Sequence, residues 1–255
     1  MTYYVFDVDG TLTPSRQKMT KSMENVFVEF AEKNQCFLVT GSNLEKTQEQ
    51  VPWSILSRCT TLYCESGSDN YVPDTDGEGR LWRTDDGSSE DFWDCPVELR
   101  NFLMQQLDFS KFPKTMRTGN HIELRKTMVN FSVIGRNATT DERYVYTLWD
   151  KDKKERAWIA EEIEYMFPEL TATVAGEIGI DIHPKGRDKS QVRKDIRRWG
   201  DKPIVFFGDK TEKGGNDYPL AESLEFEKET FKIENVVHQV LSWQDTYRIL
   251  ENYVK

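Results

Sequence analysis

Two aspartates one residue apart, Asp7 and Asp9, sit in the stretch Phe6-Asp7-Val8-Asp9-Gly10-Thr11-Leu12-Thr13, directly after the apolar run Tyr3-Tyr4-Val5-Phe6. An apolar run cut off by acids and a glycine reads as a buried strand stopping in a turn. Both carboxylates then project from the strand's C-terminal edge, where open α/β sheets place their ligand crevices. Carboxylates that close repel each other, and one keeps a proton at neutral pH unless a cation sits between them. Mg²⁺ removes the conflict, because it takes oxygen ligands and shares them between carboxylates and phosphate oxygens. In that setting Asp7 can attack phosphorus as a nucleophile, while Asp9 moves a proton on or off the oxygen that exchanges the phosphoryl group. The plainer reading of the same residues is a turn in which Asp7 and Asp9 only cap backbone amides.

A second loop of the same kind is Phe206-Phe207-Gly208-Asp209-Lys210-Thr211, continuing to Gly214-Gly215-Asn216-Asp217. Another apolar strand ends in carboxylates there, so Asp209 is placed as a third metal ligand beside Asp7 and Asp9. Asn216 and Asp217 would orient the ion's waters or hold the loop. Lys189 begins the helix before that strand, where a lysine can reach a transferring phosphoryl group; a charged helix start with no other role is the alternative. Ser42 follows the strand Cys36-Phe37-Leu38-Val39 at the start of a helix, a position suited to a phosphate oxygen and equally to an ordinary N-cap.

The elements that must position these groups can be read from periodicity. Thr20 is a candidate N-cap for a helix carrying Met23, Val26, Phe27, Phe30 and Ala31. Strand, helix, strand, polar loop and helix (about Leu44 to Gln50) make a right-handed βαβ unit with a parallel sheet, so the strand ends after Phe6 and Val39 open on one edge. A third strand, Thr61 to Cys64, leads into an acidic stretch read as a solvated loop. In it Asp74, Asp76, Glu78, Gly79 and Asp85 match a calcium loop incompletely, with no helical flanks. A boundary falls near residue 84. Beyond Pro96 the pattern predicts a helix through Leu107, paired strands Ile122 to Arg125 and Met128 to Val133, a helix Asp141 to Phe167 broken at Asp150–Lys154, and a strand-like run Thr171 to His183. The chain then returns with a helix Ser190 to Trp199, the strand Pro203 to Phe207, the glycine and acid loop, and a closing helix Val236 to Val254. The fold class is α/β, a Rossmann-like parallel-sheet core with an inserted α+β cap.

At 255 residues the chain is long enough to bury a core without disulfides or structural metals. No apolar run approaches membrane-spanning length and no signal pattern opens the chain, so a cytoplasmic protein without membrane partners is expected. Cys36, Cys59, Cys64 and Cys95 form no CxxC pair and read as reduced, packed thiols. The net charge of −10 argues against nucleic-acid binding. That charge is local: between Glu65 and Glu98 there are eleven acidic and two basic residues, which leaves 33 acidic against 32 basic elsewhere.

Acid turn, strand-end serine, helix lysine and second acid loop, in this order, resemble the haloacid dehalogenase-like phosphotransferase superfamily. The resemblance implies a catalytic core of residues 1–83 and 185–255 and a cap of residues 84–184. The stretches FDVDGTLTPSRQKMT, GSNLEKTQEQ, IELRKTMVNFSVIGR with DER just beyond, and FFGDKTEKGGND are similar, more narrowly, to the eukaryotic-type phosphomannomutase family. This implies an aspartyl phosphate on Asp7, Asp9 as general acid/base, and Mg²⁺ held with Asp209. It also implies a hexose bisphosphate activator and a sugar-phosphate substrate whose distal phosphate is bound by Arg16, Arg125, Arg136 and Arg143 and whose sugar is touched by Asn130 and Asp181. Guanidinium is the group suited to bidentate phosphate contact; exposed strand charges are the alternative for each arginine taken alone. Gly179 stands where the family has Ser, which removes one sugar hydrogen bond, and the loop after Asp217 lacks the family's FxDPRT-like ending. The stretch Asp69 to Asp94 also departs and would alter the surface of a homodimer formed through the cap. Mannose phosphate isomerisation leads, a sugar-phosphate phosphatase is the alternative, and a binding protein without turnover is the third reading.

Overall fold

The computed structural model describes residues 2–74, 79–84, 93–125 and 127–254. Two compact units are present, Met1–Ser89 with Gly186–Lys255, and Glu90–Lys185. The first unit opens with β1 (Tyr3–Asp7), every residue of which is buried. Helix α1 (Lys21–Ala31) is capped by Thr20, whose Oγ1 accepts from the Met23 amide at 3.3 Å, and it buries Met23, Val26, Phe27 and Phe30 along one stripe. Strand β2 (Gln35–Val39) runs parallel to β1 in a register that pairs Asp7 with Val39. Helices α2 (Leu44–Gln50) and α3 (Trp53–Leu56) lead to β3 (Cys59–Cys64). The acidic stretch is not all loop. Strands β4 (Asp69–Pro73) and β5 (Leu81–Arg83) add an antiparallel hairpin to the sheet, with Tyr71 opposite Leu62 and Val72 opposite Trp82. Its few apolar residues are scattered among acids, which hid the alternation in the sequence. Asp76, Glu78 and Asp85 of the calcium-like pattern lie outside the described residues.

The second unit is helices on one face of an antiparallel sheet. Helix α4 (Val97–Phe109) precedes β6 (Ile122–Leu124) and β7 (Val129–Phe131), which pair as expected. Helices α5 (Thr140–Lys153) and α6 (Glu155–Met166) are divided at Lys154, which takes the left-handed conformation at φ 56°. The strand-like run after Leu170 is a hairpin, β8 (Leu170–Ala175) and β9 (Gly179–Pro184), folded at the glycines that the alternation concealed. The sheet order is β6-β7-β9-β8. Val129, Phe131, Ile180 and Ile182 fill one buried cluster with Leu99, Leu103, Tyr146, Ile159 and Ile163 from the helices.

The chain returns to the first unit with α7 (Gln191–Ile196), a 3₁₀ turn Arg197–Trp199, β10 (Ile204–Gly208) and α8 (Tyr218–Phe231). The sequence pattern showed only a loop where α8 lies, because its first turn carries Pro219; proline is tolerated there, where no intrahelical amide is needed. Val236 and Val237 are not helical: Val236–Gln239 is β11, parallel to β10, and the closing helix α9 spans Trp243–Val254. Adjacent β-branched residues favour the pleated surface. The sheet order is β11-β10-β1-β2-β3-β4-β5. Alternation along β1 sends Tyr4 and Phe6 into a cluster with α1 and α9, and Tyr3 and Val5 into one with α7 and α8. Phe6 stacks on Phe207 with ring centroids 4.8 Å apart. All four cysteines are free and buried. No helix among the described residues is long and apolar enough to cross a membrane.

Glu227 ties the return segments together. Its carboxylate accepts from Arg193 Nη1 at 2.7 Å, from Asn235 Nδ2 at 3.0 Å and from Arg197. Burial alone would raise its pKa, but the hydrogen bonds from Arg197, Arg193 and Asn235 outweigh that and hold the carboxyl down to about 2. A depressed carboxylate contributes stability that is present above its unfolded pKa and lost as pH falls through the folded value. Glu227→Gln should therefore flatten the loss of unfolding free energy between about pH 4.3 and pH 2, read by denaturant titration at several pH values. An unchanged pH slope would refute the assignment.

Candidate active site

The acid turn is built by β1 and the residues that close it. Asp7 is the last residue of β1 and is buried. The Val8 carbonyl then accepts from the amides of Leu12 at 2.9 Å and Thr13 at 3.0 Å, which folds the chain sharply back. Gly10 adopts φ +84°, and a Cβ there would stand 2.5 Å from Asp209 Oδ2, so only glycine lets the two acid loops approach this closely. Asp9 points elsewhere than expected. Its Oδ1 accepts from the Arg16 amide at 2.7 Å and from Gln50 Nε2 at 2.8 Å, and its carboxylate is not part of the metal-competent cluster.

That cluster is Asp7, Asp209 and Asp217, whose oxygens lie within 4.8 Å of one another. Parallel pairing of β1 and β10 puts Phe6 beside Phe207, so both strands end on one edge and deliver Asp7 and Asp209 together. Asp217, expected in a supporting role, is brought in by the loop's return: Oδ2 accepts from the Lys210 amide at 3.0 Å, and the Asp217 amide donates to the Lys210 carbonyl at 3.1 Å. Lys189 is fully buried and donates through Nζ to Asp7 Oδ1 and Asp217 Oδ1, both at 2.6 Å. It precedes α7 rather than beginning it. Asn216, which precedes Asp217 in the loop, has its Oδ1 buried with no hydrogen-bond partner among the described residues.

The electrostatics follow from burial. Desolvation pushes the Asp7 carboxyl well above the usual carboxylate range and the charge of Asp217 adds to this, against the pull of Lys189. Burial likewise pushes Asp209 up to about 6, opposed by Lys210. Lys189 is held above its ordinary range: burial works against its charge, and Asp217 and Asp7 more than compensate. Three converging carboxylates are a hard-oxygen donor set, which fits Mg²⁺ and would not suit a soft metal.

Ser42 lies three residues past β2, but the N-cap of α2 is Asn43, whose Oδ1 accepts from the Lys46 amide at 3.1 Å. The Ser42 carbonyl accepts from the Glu65 amide at 3.0 Å, and the Ser66 amide donates to the Thr40 carbonyl at 2.8 Å. Glu65 and Ser66 are both buried in the left-handed region, at φ 46° and 61°. Such residues cost about 1–3 kcal/mol each and persist only where the surroundings over-determine them. Here Gln191 Nε2 holds the turn, donating to the Ser66 carbonyl at 2.8 Å and to Ser68 Oγ at 3.0 Å. Sequence reading missed Gln191 and this turn; only Gly67 signalled it.

In the second unit the ladder β6-β7-β9 lines up Glu123, Asn130 and Asp181. Asn130 Nδ2 donates to Asp181 Oδ1 at 2.6 Å, while Asn130 Oδ1 is buried with no partner among the described residues. A Cβ at Gly179 would stand 2.6 Å from that Nδ2, so the residue that departs from the family pattern is what makes room for this Asn130 position. Arg125 Nε donates to Glu123 Oε1 at 2.9 Å, Arg136 Nε donates to Glu123 Oε2 at 2.8 Å, and Arg125 Nη1 lies 3.9 Å from Asp181 Oδ1. Four of the expected binding residues thus meet, around a glutamate the sequence reading did not single out. Its signal was the alternation Ile122-Glu123-Leu124-Arg125 inside a recognised stretch. Arg143 does something different. Nε and Nη2 donate to the carbonyls of Ala138 and Arg136, both at 2.8 Å, so it fixes the backbone that carries Arg136; its Nη1 is buried with no partner among the described residues. Arg16 belongs to the first unit, is exposed at φ 57°, and meets Asp9 through its amide, not its guanidinium.

Comparison with known proteins fits this geometry. The family model for eukaryotic phosphomannomutase matches residues 23–255. A phosphomannomutase from Saccharomyces cerevisiae is 34% identical over 255 residues, covering 98% of this chain and 92% of the yeast protein. One from Encephalitozoon cuniculi is 35% identical over 222 residues, covering 86% and 84%. Solved structures share the fold at low identity. N-terminally truncated Plasmodium falciparum IMP-nucleotidase with bound IMP aligns at TM-score 0.66 and 12% identity, covering 98% of this chain and 67% of that one. The C-terminal domain of a C. albicans trehalose-6-phosphate phosphatase aligns at 0.61 and 14%, covering 99% and 92%. With the family model matching residues 23–255 and relatives 34–35% identical over most of their length, the chain belongs to the eukaryotic phosphomannomutase family.

Proposed function

We propose that the protein is a Mg²⁺-dependent phosphotransferase that interconverts mannose 6-phosphate and mannose 1-phosphate through an aspartyl phosphate on Asp7, primed by a hexose bisphosphate. The observation that carries this reading is Lys189, buried and paired at 2.6 Å with Asp7 beside Asp209 and Asp217, in a chain of this family. Asp7, Asp209 and Asp217 would hold Mg²⁺, which when bound supplies positive charge to the phosphoryl oxygens.

Burial disfavours the ionised form of Asp7, the form that is nucleophilic. Lys189 opposes this, since an ammonium at contact distance favours the carboxylate. The ionised Asp7 attacks phosphorus, the bond from phosphorus to the sugar oxygen breaks, and Asp9 gives that oxygen its proton; in the reverse direction Asp9 takes the proton back. Asp9 is suited to this because its Oδ1 is anchored by the Arg16 amide and Gln50, while Oδ2 has no partner among the described residues. Lys189 also balances charge as it builds on the phosphoryl group. Ser42 and the adjoining amides are suited to hold a phosphate oxygen. Moving a phosphate rather than removing it requires a grip on a second phosphate of the bisphosphate, a task that fits Arg125 and Arg136. Asn130 and Asp181 supply acceptors for sugar hydroxyls.

With mannose 1-phosphate, Mg²⁺ and catalytic hexose bisphosphate, ³¹P spectra should show mannose 6-phosphate growing in. Release of inorganic phosphate would instead make the protein a phosphatase, and no change would remove turnover altogether. Asp7→Asn should abolish the reaction, and retained turnover would sink the nucleophile assignment. Mg²⁺ should raise the thermal midpoint of the wild type, and Asp209→Asn should lose most of that rise. An undiminished rise in the variant would place the ion elsewhere.

A further inference from the structure

Glu123 takes part in none of the steps above, yet it is the group on which the cationic cluster of the second unit converges. Each carboxylate oxygen accepts from a different arginine: Oε1 from Arg125 at 2.9 Å and Oε2 from Arg136 at 2.8 Å. Both contacts are made to Nε, the inner nitrogen. A guanidinium held by Nε keeps its plane fixed, and that contact does not use the end-on fork of Nη1 and Nη2 that matches a phosphate; in Arg125, Nη1 also donates to Met128 Sδ at 3.6 Å. Arg136 illustrates this: its terminal nitrogens have no partner among the described residues, although its side chain is only 14% exposed. The backbone reinforces the arrangement, because the Arg136 amide donates to the Asn120 carbonyl at 2.7 Å, just before β6, the strand that carries Glu123.

Charge balance points the same way. Two guanidiniums this close repel each other, and Glu123, with Asp181 3.9 Å from Arg125, offsets both charges while no ligand is present. A nearly buried pair of arginines without that carboxylate would repel each other and lose the preorganisation that bidentate anion binding needs.

We propose that Glu123 is a positioning residue for substrate: it clamps Arg125 and Arg136 by Nε so that their outer nitrogens are set for one phosphate group. This rests on the sugar-phosphate reading above. Glu123→Gln is the direct probe, because it conserves shape but replaces one acceptor oxygen with an NH₂ that faces an N–H donor, so only one arginine stays held. KM for mannose 1-phosphate should rise about tenfold or more while kcat stays within about threefold, the signature of lost uniform binding. The Mg²⁺ half-saturation should match the wild type. Glu123→Asp, which keeps both oxygens one methylene further back, should fall between the two and serves if the Gln variant is poorly soluble. A KM within twofold of wild type in Glu123→Gln, or a fall in kcat with KM unchanged, would overturn the proposal. Calorimetric titration of mannose 1-phosphate into Asp7→Asn with and without Glu123→Gln measures the clamp without turnover. An absent mutase reaction in the wild type would therefore count against the functional reading alone, whereas equal affinities in that titration would count against the clamp.

Discussion

A lysine with no exposure, bonded to two carboxylates at 2.6 Å, is the interaction on which the first unit depends. Each of the three charges would be intolerable alone at that depth, and breaking such a group by removing one partner costs about 3–5 kcal/mol, because the remaining charges stay buried and uncompensated. The arrangement therefore demands that β1, the segment leading into α7 and the loop after β10 be placed together closely enough for both contacts to form. It also leaves the group with one positive charge against the three carboxylates of Asp7, Asp209 and Asp217. That imbalance is what burial expresses in the raised pKa of Asp7 and Asp209, and it is the deficit a divalent cation would fill.

The scaffold around this group is stiff where the chemistry needs it. Both faces of β1 are packed, by Phe6 against Phe27 and Phe207 on one side and by Tyr3 against Phe37 on the other. Strand ends so confined cannot follow a side chain that would prefer to move. Conformational cost is concentrated in the turns at the same edge: Gly10 admits Asp209, and the left-handed pair Glu65 and Ser66 is held by Gln191, two residues after Lys189. The lysine segment and the Ser42 loop are thereby braced through one turn.

The second unit solves a different problem. Its sheet is apolar on the helix side, with Val129, Phe131, Ile180 and Ile182 in the core, so Glu123, Asn130 and Asp181 fall on the opposite face by the period of two. On that face charges are paired with each other: two arginines share one glutamate, and one of them also approaches Asp181. Self-neutralised groups of this kind stay ordered and give up little entropy when an anion arrives.

By itself the sequence determined the elements whose signals are local. Apolar runs ending in Asp7 and Asp209, the Thr20 cap over the stripe Met23 to Phe30, the paired strands around Asn130 and the return strand Ile204 to Gly208 follow from periodicity and capping, which act within a few residues. It was also enough, through its motifs, to indicate the family. The tertiary structure decided everything that depends on how a loop comes back. Asp217 rather than Asp9 faces Asp7, since the carboxylate of Asp9 is claimed by Gln50, 41 residues away, and that of Asp217 by a lysine 28 residues before it. Asn43 rather than Ser42 caps α2, and Arg143 serves the backbone of Arg136. The same holds for β4, β5 and β11, whose pairing partners lend them a regularity that their own residues express weakly. Glu123 was visible as one polar position in an alternating strand, and only the meeting of β6 with the turn after β7 made it the shared partner of two arginines. Spacing along a chain sets which face a side chain takes, whereas its partner is set by contacts distant in sequence, and a buried charge is decided by its partner.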